Sequence, residues 1–360
     1  MTPSELIIPL IYGIIIGGVW FGITKYIQKK GLFSEYVTIG SWLEMYVKTK
    51  NVNFLDSLIK STTVTKIYKY STIIGLFLCY VFMFFGVILT IFAVYLSVAA
   101  PHLPNKINAP NNILMIPGVT DFVPLTVEVI ISLLFLVTIH EIAHGILGRV
   151  HGVKIKSAGA ILLCIPVGGF VELDEDELNV LPVMGKLQIF AAGITANLMT
   201  MVVGLISTVY LISLTTGVAI IKSSPLETVM FWWQSLFSFT VLPILNILSP
   251  VSQTLWITQT TSLWLATHTE PFFGYLFLLH LSFWTFWVSF ALVFTNTLPL
   301  KITDGGQIFE VTSKYLLDKV NLGRYASGLS TNIAIGVLIC VCGTFFIPYI
   351  YQFIITFTGG

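Results

Sequence analysis

Six stretches of the chain stay apolar long enough to cross a bilayer as helices: Leu6–Ile23, Ile73–Val98, Leu125–Leu147, Leu187–Leu214, Tyr275–Leu298 and Ser330–Phe357. About 20 apolar residues suffice, because a helix rises 1.5 Å per residue and the hydrocarbon layer is ~30 Å thick. The intervals between them have patterns of their own. In the polar, lysine-rich stretch Gly31–Tyr70, Leu32, Tyr36, Ile39, Leu43 and Tyr46 recur at helical spacing, opposite Ser34, Glu35, Thr38, Ser41 and Glu44. That spacing predicts a helix lying on the membrane surface or a solvated linker helix. Ala100–Asp121 is rich in proline and asparagine and predicts an irregular loop. Ala158–Leu173 is apolar but too short to cross as a helix. It is rich in glycine and β-branched residues and broken by Pro166. It predicts an extended or hairpin segment dipping into the membrane, where protein or a watery cavity satisfies its backbone. Gln307–Val320 predicts an amphipathic surface helix.

The fold class expected is therefore an all-α polytopic membrane protein, with about six transmembrane helices and a small membrane-embedded β segment. Four regions follow. Residues 1–124 carry two N-terminal spans and a surface segment. Residues 125–221 form a core of three pieces, and 222–274 an aromatic-rich interfacial or re-entrant insert. Residues 275–360 hold the remaining spans and the amphipathic helix. Within the insert, Trp232, Trp233, Trp256 and Trp264 suit a membrane–water interface.

Composition supports this reading: 56% of residues are hydrophobic and 10% charged, against about a quarter charged in soluble domains. A net charge of +1 leaves no basic surface for nucleic acid. The four cysteines, Cys79, Cys164, Cys340 and Cys342, lie in apolar runs with no CxxC pair, so a disulfide framework is not expected. With zero or two crossings in the aromatic insert, placing the N-terminus outside puts all of the 18 lysines and arginines on the cytoplasmic side except Lys106 and Lys222.

The third apolar stretch contains His140-Glu141-Ile142-Ala143-His144. Histidines four apart on a helix share one face and can hold one metal ion between them; the adjacent glutamate can take a proton from water there. Ionisable groups inside a membrane span are expensive, and they are usually retained for function. The plainer reading is a helix lining a polar cavity, with the histidines paired to carbonyls. A third ligand decides between the two. With the N-terminus outside, His140 and His144 fall in the cytoplasmic third of their helix, and Asp304, after Pro299 has ended the fifth span, falls at the same depth. Two nitrogens and one carboxylate leave a zinc ion an open position for water. Bound water then has a pKa near 7 in place of about 16, with Glu141 as the proton acceptor. Asn197 is an amide deep in an apolar helix. It is either glue between helices or a donor to the oxyanion or substrate. Gly305 and Gly306 allow backbone approach and unusual dihedrals beside the ligand. Gly168-Gly169-Phe170-Val171 is either a self-paired hairpin or an open strand edge able to take an extended peptide. The acidic run Glu172–Glu177 reads as a solvated turn.

Taken together, these segments resemble the site-2 protease family of intramembrane zinc metalloproteases. His140-Glu141-x-x-His144 matches its HExxH, and Asn296-x-x-Pro299-x-x-x-x-Asp304-Gly305 its NxxPxxxxDG. Gly193-x-x-x-Asn197 matches its central-helix signature, and Gly168-Gly169-Phe170-Val171 resembles its GGYV-type β segment. The resemblance implies one zinc ion per chain on His140, His144 and Asp304, with Glu141 as general base. It also implies a membrane-anchored protein substrate cut in or near its transmembrane segment, in some members after a first cut by another protease. Many bacterial members carry a PDZ domain where this chain has 222–274, which does not read as one. The alternative is a zinc-containing membrane module that binds single-span proteins without cleaving them.

Overall fold

The computed structural model describes residues 3–40, 45–49, 52, 55, 57, 59–99, 117–118, 123–163, 165–217, 219–244 and 273–358. The protein is an all-α polytopic membrane protein with one small antiparallel sheet. Its helices are α1 (Pro3–Lys30), α2 (Thr62–Ala99), α3 (Val127–Val150), α4 (Glu175–Asn179), α5 (Val183–Thr216), α6 (Pro225–Ile244), α7 (Phe273–Thr297), α8 (Asp304–Asp318) and α9 (Ala326–Thr358). Among the described residues, five helices are long and apolar enough to cross a membrane: α2, α3, α5, α7 and, within Gly323–Pro348, most of α9. The stretch Leu6–Ile23, expected as a further span, lies within α1. The expected loop over Ala100–Asp121 falls almost wholly outside the described residues, as does the insert beyond α6. The chain divides into two compact units.

The first unit comprises Met1–Lys69 and Glu141–Pro182. It holds a four-stranded antiparallel sheet of β1 (Val37–Ile39), β2 (Met45–Thr49), β3 (Ile155–Leu163) and β4 (Ile165–Leu173), in that order across the sheet. The hairpin expected over Ala158–Leu173 forms, with Gly169 opposite Ala160 and Val171 opposite Ala158. The surface helix expected in Gly31–Tyr70 does not form over the described residues 31–40 and 45–49. There α1 ends at Gly31, whose φ is +62°. Leu32 N–H reaches back to the Ile27 carbonyl and Gly31 N–H to that of Gln28, the double closure that stops a helix at a left-handed glycine. Phe33, with φ of +58°, takes a second left-handed step. Beyond it the β-branched and aromatic residues of β1 and β2 add to the free side of β3, Val47 pairing with Ala160. A Cβ on Gly159 would collide with the Val47 carbonyl, so glycine there lets β2 and β3 approach.

The second unit comprises Tyr70–His140 and Val183–Gly360. Its core joins α2 (Leu76, Cys79, Met83), the start of α3 (Val129, Leu136), α5 (Ile194, Leu198, Met201) and α7 (Phe283, Trp284, Phe286). Small residues set the closeness of this packing. A Cβ on Gly204 of α5 would lie 2.6 Å from the Phe286 backbone nitrogen, and one on Gly75 of α2 would overlap the Thr195 side chain. Helices in lipid gain little from apolar burial against one another, so such backbone contact is what draws them together. Hydroxyl pairs across the helices reinforce it: Thr200 with Ser289 at 3.1 Å and Ser132 with Thr285 at 3.1 Å.

Candidate metal centre

In the second unit α3, α5 and α8 each bring one polar side chain to the same place. His140 is 8% exposed and Asn197 fully buried. His140 Nε2 lies 3.1 Å from Asp304 Oδ2, and His140 Nδ1 lies 3.0 Å from the Asn197 amide nitrogen. Residues far apart in sequence thus meet on both nitrogens of one imidazole.

Asp304 reaches this point by a tightly built turn. α7 stops at Thr297, and Pro299 cannot donate to a continuing helix. Thr303 then caps α8: its hydroxyl accepts from Gly306 N–H at 3.2 Å and donates to the Leu298 carbonyl at 2.6 Å. Asp304 is the first residue of that helix, where an anion is favoured by the helix dipole. The two glycines after it serve close approach alone. A Cβ on Gly305 would collide with the Thr297 carbonyl and one on Gly306 with that of Leu300. Neither has a positive φ, so the unusual dihedrals expected from sequence are not used.

α3 runs unbroken through the boundary between the units, which falls after His140. His144 therefore sits one turn beyond His140 on the same face, and Glu141 lies about 100° around the helix from His140. Among the described residues of the second unit, His140 and Asp304 bring together donors suited to a metal ion, and His144 offers the same chemistry one turn on along α3. The fit can be tested on the measured pair. Two ligands at about 2.0–2.1 Å from one tetrahedral zinc stand about 3.3 Å apart. The 3.1 Å between His140 Nε2 and Asp304 Oδ2 is close to that value, and imidazole plus carboxylate is a zinc donor set.

Gly168, Gly169, Phe170 and Val171 lie on β4 of the first unit. Sequence left open whether this segment is a paired hairpin or an open edge. The hairpin forms: β4 pairs with β3, and among the described residues it is the end strand of the sheet. On the sheet face Phe170 meets Tyr46 edge-on at 5.7 Å. A groove there is lined by Thr38, Tyr46, Lys48, Phe170, Val171 and Glu172. Half of this lining comes from β1 and β2 and was missed from sequence; the aromatic and β-branched residues Tyr46, Val47 and Thr49 were its available signal. The acidic run, expected as a turn, instead ends β4 and opens the short helix α4, and it is tied to nearby lysines. Asp174 caps α4, accepting from the backbone N–H of Asp176 and Glu177 at 3.1 Å each. Lys154 pairs with Glu177 at 3.0 Å and Lys156 with Asp174 at 3.4 Å.

Comparison with known proteins gives two matches. The family model described as peptidase family M50 covers residues 128–343, the stretch that carries His140, His144, Asn197 and Asp304. A Methanocaldococcus jannaschii protein, described only as uncharacterized, is 30% identical over 177 residues. These make up 45% of this chain and 47% of the relative. The chain thus spans about half the length of that relative. No solved structure matches.

Proposed function

We propose, from the premise that the chain belongs to peptidase family M50, the site-2 protease family, that it is an intramembrane zinc endopeptidase. Its substrates on this reading are membrane-anchored proteins, cut in or near their transmembrane segments. The observation that carries the proposal is the approach of Asp304 Oδ2 to His140 Nε2 inside an apolar bundle. A carboxylate and an imidazole are costly there without a shared task.

The residues divide the work as follows. His140, His144 and Asp304 hold one zinc ion per chain. When bound, the ion supplies a Lewis acid and lowers the pKa of water to near 7. Glu141 takes the proton of the attacking water and returns it to the departing amine nitrogen. A helical substrate hides its amides and must be extended before attack. The side of β4 that has no strand partner among the described residues, with Gly168, Gly169, Phe170 and Val171, is where a peptide strand would add. The N-terminus outside and the centre toward the cytoplasm remain the topology favoured by the lysines and arginines. An upstream protease making a first cut is a natural partner for such a reaction, since a shortened substrate reaches a buried site more readily.

The test is zinc content per purified chain beside cleavage of a fluorescently tagged single-span protein in detergent or liposomes. Wild type is expected to hold about one zinc, Asp304→Ala close to none, and Glu141→Gln the wild-type amount with cleavage lost. Zinc retained at full occupancy in Asp304→Ala overturns the ligand set. Zinc without turnover of any single-span substrate favours the non-enzymatic binding module.

A further inference from the structure

Each nitrogen of the His140 ring faces a polar group, and the two contacts constrain each other. A neutral imidazole has one N–H and one lone pair. With the amide nitrogen of Asn197 facing Nδ1, the amide donates and Nδ1 accepts. The ring proton is then on Nε2, the nitrogen that faces Asp304. A metal ion shared with Asp304 requires the reverse: the lone pair on Nε2 and the proton on Nδ1. Nδ1–H would then confront an NH2 group, donor against donor.

Asn197 has an answer to this conflict. Its Oδ1 is buried and has no hydrogen-bond partner among the described residues, in a side chain with no exposed surface. A buried carbonyl left unpaired is costly, because it has given up its water without a replacement. Amide oxygen and nitrogen are nearly the same size, and hydrogen-bond partners decide which way a carboxamide points. Turning it by 180° brings Oδ1 to Nδ1–H and ends the isolation of that oxygen. The backbone beneath cannot drift. Thr200 Oγ1 donates to the Asn197 carbonyl at 3.0 Å and meets Ser289 of α7 at 3.1 Å, and Gly204 one turn on is pressed against Phe286.

We propose that Asn197 is a positioning residue. Through Oδ1 it accepts Nδ1–H of His140, and so holds the tautomer and ring angle that put a lone pair on Nε2 toward the metal. This rests on the reading of His140, His144 and Asp304 as zinc ligands. It replaces the role of oxyanion donor that sequence allowed for Asn197. Residues that orient a ligating histidine from behind typically change metal affinity about 10–100-fold.

Two variants separate the roles. Asn197→Leu keeps the size and removes both polar atoms. Asn197→Asp keeps acceptors and removes the donor. On the full-length protein in detergent, zinc affinity is read by competition with a chelator, and the absorption bands of the cobalt(II)-loaded protein report the ligand field. Asn197→Leu is expected to bind zinc about 10–100-fold more weakly, with shifted cobalt bands, while Asn197→Asp stays within about threefold of wild type with unshifted bands. A folded Asn197→Leu that binds zinc as tightly as wild type overturns the proposal, as does an Asn197→Asp as weak as the leucine variant. If the leucine variant does not fold, the aspartate variant decides alone. Failure of wild type itself to bind zinc removes the metal centre, and this proposal with it. Normal wild-type binding with affinity indifferent to position 197 removes only the positioning role.

Discussion

The chain places acids beside bases in two regions, and on opposite terms. At the foot of the β3–β4 hairpin Lys154 pairs with Glu177 and Lys156 with Asp174, with the lysine side chains 75% and 47% exposed. Water shares the work there, and pairs of this kind contribute little to stability. The carboxyls are still held below their usual range. For Asp174 the backbone N–H of Glu177 does most of this and Lys156 adds to it; for Glu177 the backbone N–H and then the side chain of Lys154 do. Around His140 an imidazole, a carboxylate and an amide sit in an apolar bundle, and each polar atom needs a specific partner. The first arrangement tolerates exchange of its members. The second does not, because a partner removed leaves a buried group with nothing to replace it.

The sharpest test of that contrast is Asp304→Ala. It should weaken zinc binding by more than about 100-fold, beyond the range for residues behind a ligand, and abolish cleavage; chelator competition and a cleavage assay check it. Next in size, Glu141→Gln should slow cleavage about 10²–10⁴-fold at unchanged zinc content, the usual contribution of a general base. Gly306→Ala probes the turn that delivers Asp304. Its Cβ meets the Leu300 carbonyl, and forcing a methyl into close packing costs about 1–3 kcal/mol, read as a lower thermal midpoint with reduced zinc occupancy. Smallest should be Asp174→Asn. The carboxyl of Asp174 is more acidic in the folded protein than in the unfolded chain, so its contribution is present above the ordinary value of 3.8 and lost as pH falls through the lower folded value. The midpoints of wild type and Asp174→Asn should therefore differ slightly at neutral pH and converge below about pH 3.8. A difference that widened on acidification would contradict the assignment.

Much of this was legible in the sequence because it depended on short-range order. The spacing of His140 and His144, the helix-ending Pro299 before Asp304 and the lengths of the apolar runs all act within one element, and α3, α5, α7 and α9 lie where those runs predict. β1 and β2 were hidden for a tertiary reason. Leu32, Tyr36 and Ile39 satisfy a helical period, and what overrules it is a left-handed glycine at 31 and an open side on β3, more than 100 positions further along. Asn197 shows the same limit at a finer scale. Its burial in an apolar helix marked it as special, but which nitrogen of which histidine it faces is set by the packing of α5 against α3 and α7.

The length of α2 reaches beyond the site. Its 38 residues make a rod of about 57 Å, nearly twice a hydrocarbon layer of ~30 Å. Its apolar surface favours immersion, whereas Lys66 and Lys69 near its start favour the headgroups. The surplus must be taken up by tilt or by protrusion, and the share of each depends on bilayer thickness. Host membrane becomes a physical variable for this protein in the same sense as temperature. In reconstituted vesicles, acyl-chain length should shift the depth reported by a probe attached near Lys66.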